Sequence, residues 1–170
     1  MNKELKCCFI GHRKIERSKE LEDNLYNLLT DLIINKGVST FLFGSNSEFD
    51  NLCLEIISKL KTIYAHIKRI KYTCKSEGCF LLEHKLKWEE FNRKHNIPKT
   101  YDSWFEEEFH FKNKIKAGKA SYVERNEALI NDSNFCIFYY DKNYSKQKSG
   151  TKLAYIYAMQ KKKQIFNMFK

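Results

Sequence analysis

The sequence predicts an α/β fold: a Rossmann-like, doubly wound, mostly parallel sheet with helices on both faces. Short apolar runs typical of buried strands alternate with longer segments whose apolar residues recur at helical spacing. Three of the short runs lead, through small-residue turns, into predicted helices. These turns are Gly11-His12-Arg13, Gly44-Ser45 and Ser149-Gly150-Thr151. The 170 residues, 42% of them hydrophobic, predict one domain over 1–170 with an insertion at about 73–120.

The first half of the chain is predicted to hold three strands and two helices. Ser18 has the side chain of a helix N-cap, and Gly37 suits the end of the same helix. Apolar residues between them follow helical spacing. In chain order, the predicted elements are a strand at 6–10, a helix from Ser18 to about Gly37, a strand at 40–43, a helix at 49–60 and a strand at 64–72.

The second half is predicted to hold the insertion and three regular segments after it. A helix at about 80–95 is expected in the insertion, and the rest of it is interpreted as a lid or an oligomerisation arm. The later elements are a helix at 122–131 with Ser121 as N-cap, a strand at 135–140, a helix at 151–163 and a strand at 164–168. In the last helix the residues expected to face inward are Leu153, Ala154, Tyr157 and Ala158.

Composition limits the function classes. The N-terminus has no signal-peptide pattern and no apolar run reaches the roughly 20 residues of a membrane span, so a cytoplasmic protein without membrane contact is expected. The net charge of +10 permits nucleic-acid binding and equally attracts small anions. The densest basic run, 161–163, ends a predicted helix, where cations suit the helix dipole.

The six cysteines are interpreted as reduced structural residues. Four lie in predicted buried positions: Cys7, Cys8, Cys53 and Cys136. Cys74 and Cys79, with His84 and His95 downstream, can be drawn as a zinc site, but Cys-x4-Cys is not the usual spacing of structural zinc. No metal and no certain cofactor are therefore predicted.

The three turns predict one anion-binding crevice. A small-residue turn at a helix N-terminus presents backbone N–H groups and the positive end of the helix dipole. Around such a crevice, Arg13 and Arg125 are candidate phosphate ligands and His12 is a candidate donor or general acid. The further binding candidates are Gly11, Gly44, Ser45, Asp50, Asn126, Asp141, Ser149, Gly150 and Thr151. Each also has a plain structural reading, as a cap, a turn residue or a surface ion pair.

In the order and spacing of several of these motifs, the chain resembles the SLOG superfamily, the Rossmann-like group that contains the Smf/DprA and LOG proteins. The matching segments are 9–13, 43–45 with 49–50, 124–126, 131–133 and 149–151. Within that group the chain is most similar to small uncharacterised bacterial proteins that begin strand–Gly-His-Arg. The resemblance implies a nucleotide-like ligand at the carboxyl ends of the strands and a homo-oligomer.

Three functions follow as hypotheses. The first is binding of a nucleotide or nucleotide-derived anionic small molecule, as in a sensor. The second is hydrolysis or transfer at an N-glycosidic bond of a nucleotide, with Glu124, Asp50 or His12 as catalytic candidates. LOG proteins carry Pro-Gly-Gly-x-Gly-Thr with a nearby glutamate, whereas this chain has Lys148-Ser149-Gly150-Thr151 without one, which favours binding. The third is DprA-like nucleic-acid binding.

Overall fold

The predicted α/β class is confirmed. The computed structural model describes residues 3–44, 47–72, 86, 89–90, 92–94, 119–144 and 149–170. Ser45, Cys74, Cys79 and most of the predicted insertion lie outside these residues. The strands are β1 (Leu5–Gly11), β2 (Val38–Phe43), β3 (Lys68–Lys71), β4 (Phe135–Tyr139) and β5 (Gln164–Asn167). The helices are α1 (Lys19–Ile34), α2 (Glu48–Ile63), α3 (Lys119–Asp132) and α4 (Gly150–Gln160).

The five strands form one parallel sheet in the order β3-β2-β1-β4-β5. The chain moves outward from β1 to β3 and then returns to the other side of β1 with β4. Because parallel crossovers are right-handed, helices of the two halves must cover opposite faces. The strand order therefore reverses between β1 and β4, at the sheet's topological switch point.

Side chains of β1 alternate between two hydrophobic clusters. Cys7 and Phe9 pack with α1 and α2, whereas Cys8 and Ile10 pack with α3 and α4. These four residues of β1 are at most 5% exposed, as expected for a central strand covered on both faces. The predicted burial of all four cysteines outside the insertion is confirmed, and their thiols are free.

Helix ends follow the predicted chemistry in the first half of the chain. Ser18 caps α1, since its Oγ accepts a hydrogen bond from the Leu21 N–H at 3.1 Å. Gly37 adopts φ +72° just after that helix, a conformation that glycine allows at low cost. None of the described helices is long and apolar enough to cross a membrane.

Three sequence predictions need correction. Ser121 is not an N-cap, because α3 begins at Lys119. Leu153 is 52% exposed, because α4 presents the small residues Thr151, Ala154 and Ala158 to the core and so turns Leu153 outward. The strand predicted at 64–72 is limited to β3, since Tyr64 ends α2 by donating its N–H to the Leu60 carbonyl.

Gly11 should resist substitution because the start of α2 packs directly on it. A Cβ at this position would lie 2.6 Å from the Cβ of Phe49, where no flexible side-chain end can give way. We expect Gly11→Ala to lower the free energy of unfolding by about 1–3 kcal/mol in urea denaturation. The matched control is Gly150→Ala, where a Cβ meets nothing within 4 Å. Equal stability of the two variants would contradict this packing.

Candidate functional site

The three predicted turns follow neighbouring strands. Because β2, β1 and β4 are adjacent and parallel, their carboxyl ends lie at one edge of the sheet, which we call the carboxyl edge. The candidate residues fall into separate groups along it. His12 and Asp141 lie together at the switch point, Gly44, Asp50 and Arg125 lie together beyond β2, and 149–151 begin α4.

The turn after β1 is fixed by the elements on both sides of it. The His12 N–H donates to the Tyr139 carbonyl at 3.2 Å, which extends the β1–β4 ladder beyond Gly11. The Arg13 carbonyl accepts the Glu48 N–H at 2.9 Å, so the first N–H of α2 is already used within the protein. The Arg13 side chain is exposed and therefore accessible to an anion.

The imidazole of His12 is buried, with 5% exposure, and its Nε2 accepts the Asp141 backbone N–H at 2.9 Å. An accepting Nε2 carries no proton, so the ring is neutral with its proton on Nδ1. Burial lowers the pKa of His12, and the nearby Asp141 charge only partly opposes this. The ring is therefore neutral at physiological pH, and a general-acid role would have to use the Nδ1 proton.

The segment 141–144 forms a tight turn around Asp141. The Asp141 Oδ1 accepts the Asn143 N–H at 2.8 Å, and the Asp141 carbonyl accepts the Tyr144 N–H at 3.1 Å. This turn places the Tyr144 ring on the imidazole of His12, with ring centroids 4.3 Å apart and planes 26° from parallel. One carboxylate oxygen of Asp141 thus accepts a hydrogen bond within the turn. This agrees with the interpretation of Asp141 as a turn residue.

Gly44, Asp50 and Arg125 form a buried polar group beyond β2. The Asp50 Oδ2 accepts the Gly44 N–H at 3.3 Å, and Asp50 is 2% exposed. A Cβ on Gly44 would lie 3.2 Å from the Nε of Arg125. Arg125 is 3% exposed, and its Cζ lies 5.1 Å from the centroid of the Tyr122 ring. This part of the edge therefore encloses a carboxylate and a guanidinium, and buried ionic groups of this kind are costly without partners.

The residues beside Arg125 on α3 are less enclosed. Glu124 and Asn126 are both half-buried. Because α3 covers the opposite face of the sheet from α1 and α2, these side chains belong to the α3–α4 side of the carboxyl edge.

The N-terminus of α4 combines a cap with free amide groups. The Ser149 Oγ accepts the Lys152 N–H at 3.3 Å, and its carbonyl accepts the Leu153 N–H at 3.2 Å. Ser149 therefore caps α4, in agreement with its interpretation from the sequence as a helix cap. Gly150 and Thr151 lie in the first turn of α4, where backbone N–H groups have no partner within the helix and suit an anion.

A cleft of about 520 Å³ opens at the switch point, on the face covered by α1. Of the candidate residues predicted from sequence, it is lined by His12 and Asp141. Sequence reasoning missed several other polar and aromatic residues of its wall, among them Lys14, Glu16, Glu20, Tyr139, Tyr144 and Lys170. Lys14 directly follows Arg13, and Tyr144 lies three residues after Asp141; this closeness to predicted candidates was the available signal.

The cleft has mixed charge. Lys170 pairs with Glu20 across it, so these two charges largely offset each other. Lys14, Glu16 and Asp141 remain as one cation and two carboxylates. Such a set suits a ligand that carries both an anionic group and hydroxyl donors better than it suits a bare polyanion.

Two solved structures share this fold. DNA processing protein A from Helicobacter pylori, described for its single-stranded DNA binding mode, aligns with a TM-score of 0.55 at 16% identity, over 96% of this chain and 64% of that one. DNA processing protein A (DprA) from Streptococcus pneumoniae aligns with a TM-score of 0.53 at 14% identity, over 96% of this chain and 50% of that one.

The chain thus spans about half to two thirds of the length of these proteins. No protein-family model matches it. No curated protein matches its sequence either. At these identities the likeness concerns the fold: the chain has a Rossmann-like α/β architecture similar to that of DNA processing protein A.

Proposed function

We propose that this chain binds a nucleotide or a nucleotide-derived anion in the cleft at its switch point. The observation that carries the proposal is the place of the cleft. In open parallel sheets, ligands bind outside the carboxyl ends of the strands where the strand order reverses. Here that point lies between β1 and β4 and opens into about 520 Å³, within the range of small-molecule sites.

The walls of the cleft match the parts of a nucleotide. Lys14 provides a cation for a phosphate group, and the carboxylates of Glu16 and Asp141 accept hydrogen bonds from sugar hydroxyls. The Tyr144 ring is 40% exposed while it stacks on His12, so it offers an aromatic surface to a base.

The geometry favours binding over cleavage of an N-glycosidic bond. The carboxylates predicted from the sequence to act in such cleavage are Asp50 and Glu124. Asp50 is buried and holds the Gly44 N–H, and Glu124 lies on α3 at the opposite face. Neither residue lines the cleft. The proposed activity is therefore that of a binding protein.

Single-stranded nucleic acid is a second candidate ligand, favoured by the exposed cations of the carboxyl edge. These cations are Arg13, Lys14, Lys142 and Lys152, and Tyr144 is exposed among them. A group of exposed cations can contact a phosphate backbone, and an aromatic side chain among them can stack on an unstacked base. The Helicobacter pylori protein of similar fold binds single-stranded DNA, which supports the same test here.

A nucleotide should raise the melting temperature of the chain. At 100 times its Kd, a ligand adds about 2.7 kcal/mol, equivalent to roughly 5–10 °C for a domain of this size. A thermal-shift panel of nucleoside mono-, di- and triphosphates measures this. Lys14→Ala should weaken the binding of the best nucleotide about tenfold, because one charge-assisted hydrogen bond is lost. The control is Lys36→Ala, an exposed lysine at the opposite edge. If no nucleotide in the panel shifts the melting temperature, small-nucleotide binding is wrong.

Single-strand binding has a separate signature in salt. A fluorescent oligothymidylate should bind with an affinity that falls linearly with salt on logarithmic axes, at about 0.7 of slope for each phosphate contact. Arg13→Ala with Lys142→Ala should reduce that slope by about 1.4 if each residue contacts one phosphate. The matched control, Lys3→Ala with Lys36→Ala, removes two exposed cations from the amino edge of the sheet. Equal slopes for both pairs, or no binding at low salt, would exclude the carboxyl edge as the nucleic-acid surface.

A further inference from the structure

The 141–144 turn is anchored at its start by a hydrogen bond to the titratable side chain of His12. Just before the turn, Tyr140 is clamped to β5, since its N–H and its carbonyl both bond to the side chain of Asn167, at 3.0 Å and 2.9 Å. At the next residue, the Asp141 N–H has the Nε2 of His12 as its acceptor. His12 thus holds the chain where it leaves β4 and enters the turn.

Tyr144 couples the rest of the turn to the same imidazole. Its ring stacks on His12 at 4.3 Å, and its N–H bonds to the Asp141 carbonyl. His12, Asp141 and Tyr144 all line the cleft. A change at the imidazole therefore reaches one wall of the cleft through two direct contacts.

Protonation of Nε2 is incompatible with this arrangement. An imidazolium carries N–H donors at both nitrogens, so a protonated Nε2 would face the Asp141 N–H donor to donor. The bond must then open, and the start of the turn loses its fixed position. The titratable and charged groups around the imidazole, taken from every element that lines the cleft or packs on the ring, are Lys14, Glu16, Glu20, Tyr139, Tyr140, Asp141, Tyr144 and Lys170.

We propose that His12 is a proton-sensitive positioning residue: its neutral ring holds the 141–144 turn as a wall of the cleft, and its protonation releases that turn and weakens binding in the cleft. The part concerning affinity rests on the proposed nucleotide binding, whereas the part concerning the turn does not. Because burial lowers the pKa of His12, the turn is fully held above about pH 6.5, the ordinary value for histidine, and is released as the pH falls through the lower folded-state pKa.

Nuclear magnetic resonance on the whole chain tests the turn without any ligand. The 15N signals of the His12 ring and the amide signal of Asp141 should titrate with one midpoint. Hydrogen exchange at the Tyr144 N–H, corrected for its intrinsic pH dependence, should accelerate about tenfold one pH unit below that midpoint. If the Asp141 amide and the Tyr144 exchange rate do not follow the His12 titration, the proposal is overturned.

Two variants separate the acceptor from the ring. In His12→Gln, the side-chain oxygen can accept the Asp141 N–H and cannot be protonated, so the turn should stay protected at every pH. In His12→Phe, the ring can still stack on Tyr144 but offers no acceptor, so Tyr144 should exchange rapidly at every pH. A Gln variant with the wild-type pH dependence would refute the role of His12. This comparison holds even if the Phe variant does not fold.

Nucleotide affinity gives the functional readout. With the best nucleoside monophosphate from the panel, the Kd of the wild type should rise about tenfold one pH unit below the His12 midpoint, because only the neutral fraction is competent. The Kd of the Gln variant should change with pH only as far as the phosphate group of the nucleotide itself titrates. Equal pH dependence of both Kd values would contradict the coupling. Absence of nucleotide binding would refute the proposed function but leave the resonance test of the turn intact.

Discussion

The hydrogen-bond ladder between β1 and β4 is the interaction on which the rest of the molecule depends. It closes the long connection that leaves β3 and re-enters the sheet on the other side of β1. Because right-handed crossovers then place the two helix pairs on opposite faces, this one pairing fixes both cores and creates the switch point. The ladder extends to the His12 N–H, and so it brings His12 to Asp141, 129 positions away in sequence.

Burial divides the polar residues of the carboxyl edge into two kinds. Asp50 and His12 are almost fully enclosed, and each accepts a backbone N–H, from Gly44 and from Asp141 respectively. Their first role is therefore to build the edge. Lys14, Arg13 and Tyr144 are exposed beside them and remain accessible. In the proposed binding site, specificity would arise chiefly from this exposed group, which the enclosed group holds in place.

Local patterns in the sequence were sufficient for the fold but only partly for the site. Apolar spacing and the Ser18 cap predict α1 because both signals act within a few residues. Leu153 was misplaced because α4 has apolar residues on several sides, so spacing alone does not choose its buried face. The partnership of His12 with Asp141, and that of Asp50 with the Gly44 N–H, arise from tertiary pairing. No local pattern encodes these contacts, although His12, Asp50 and Asp141 were themselves recognised as candidates.

Topology and side chains carry different parts of the functional inference. A sheet with this strand order opens at β1 and β4 whatever its side chains are, because the connections leave these strands toward opposite faces. Proteins that share 16% of their residues can therefore share a fold while binding different ligands. What binds here is decided by the groups that line this particular cleft. Lys14 beside two carboxylates disfavours a dense polyanion, and Tyr144 on a neutral imidazole favours a flat ring. The nucleotide that we propose as the ligand satisfies both conditions, since it carries a phosphate, hydroxyl groups and a base.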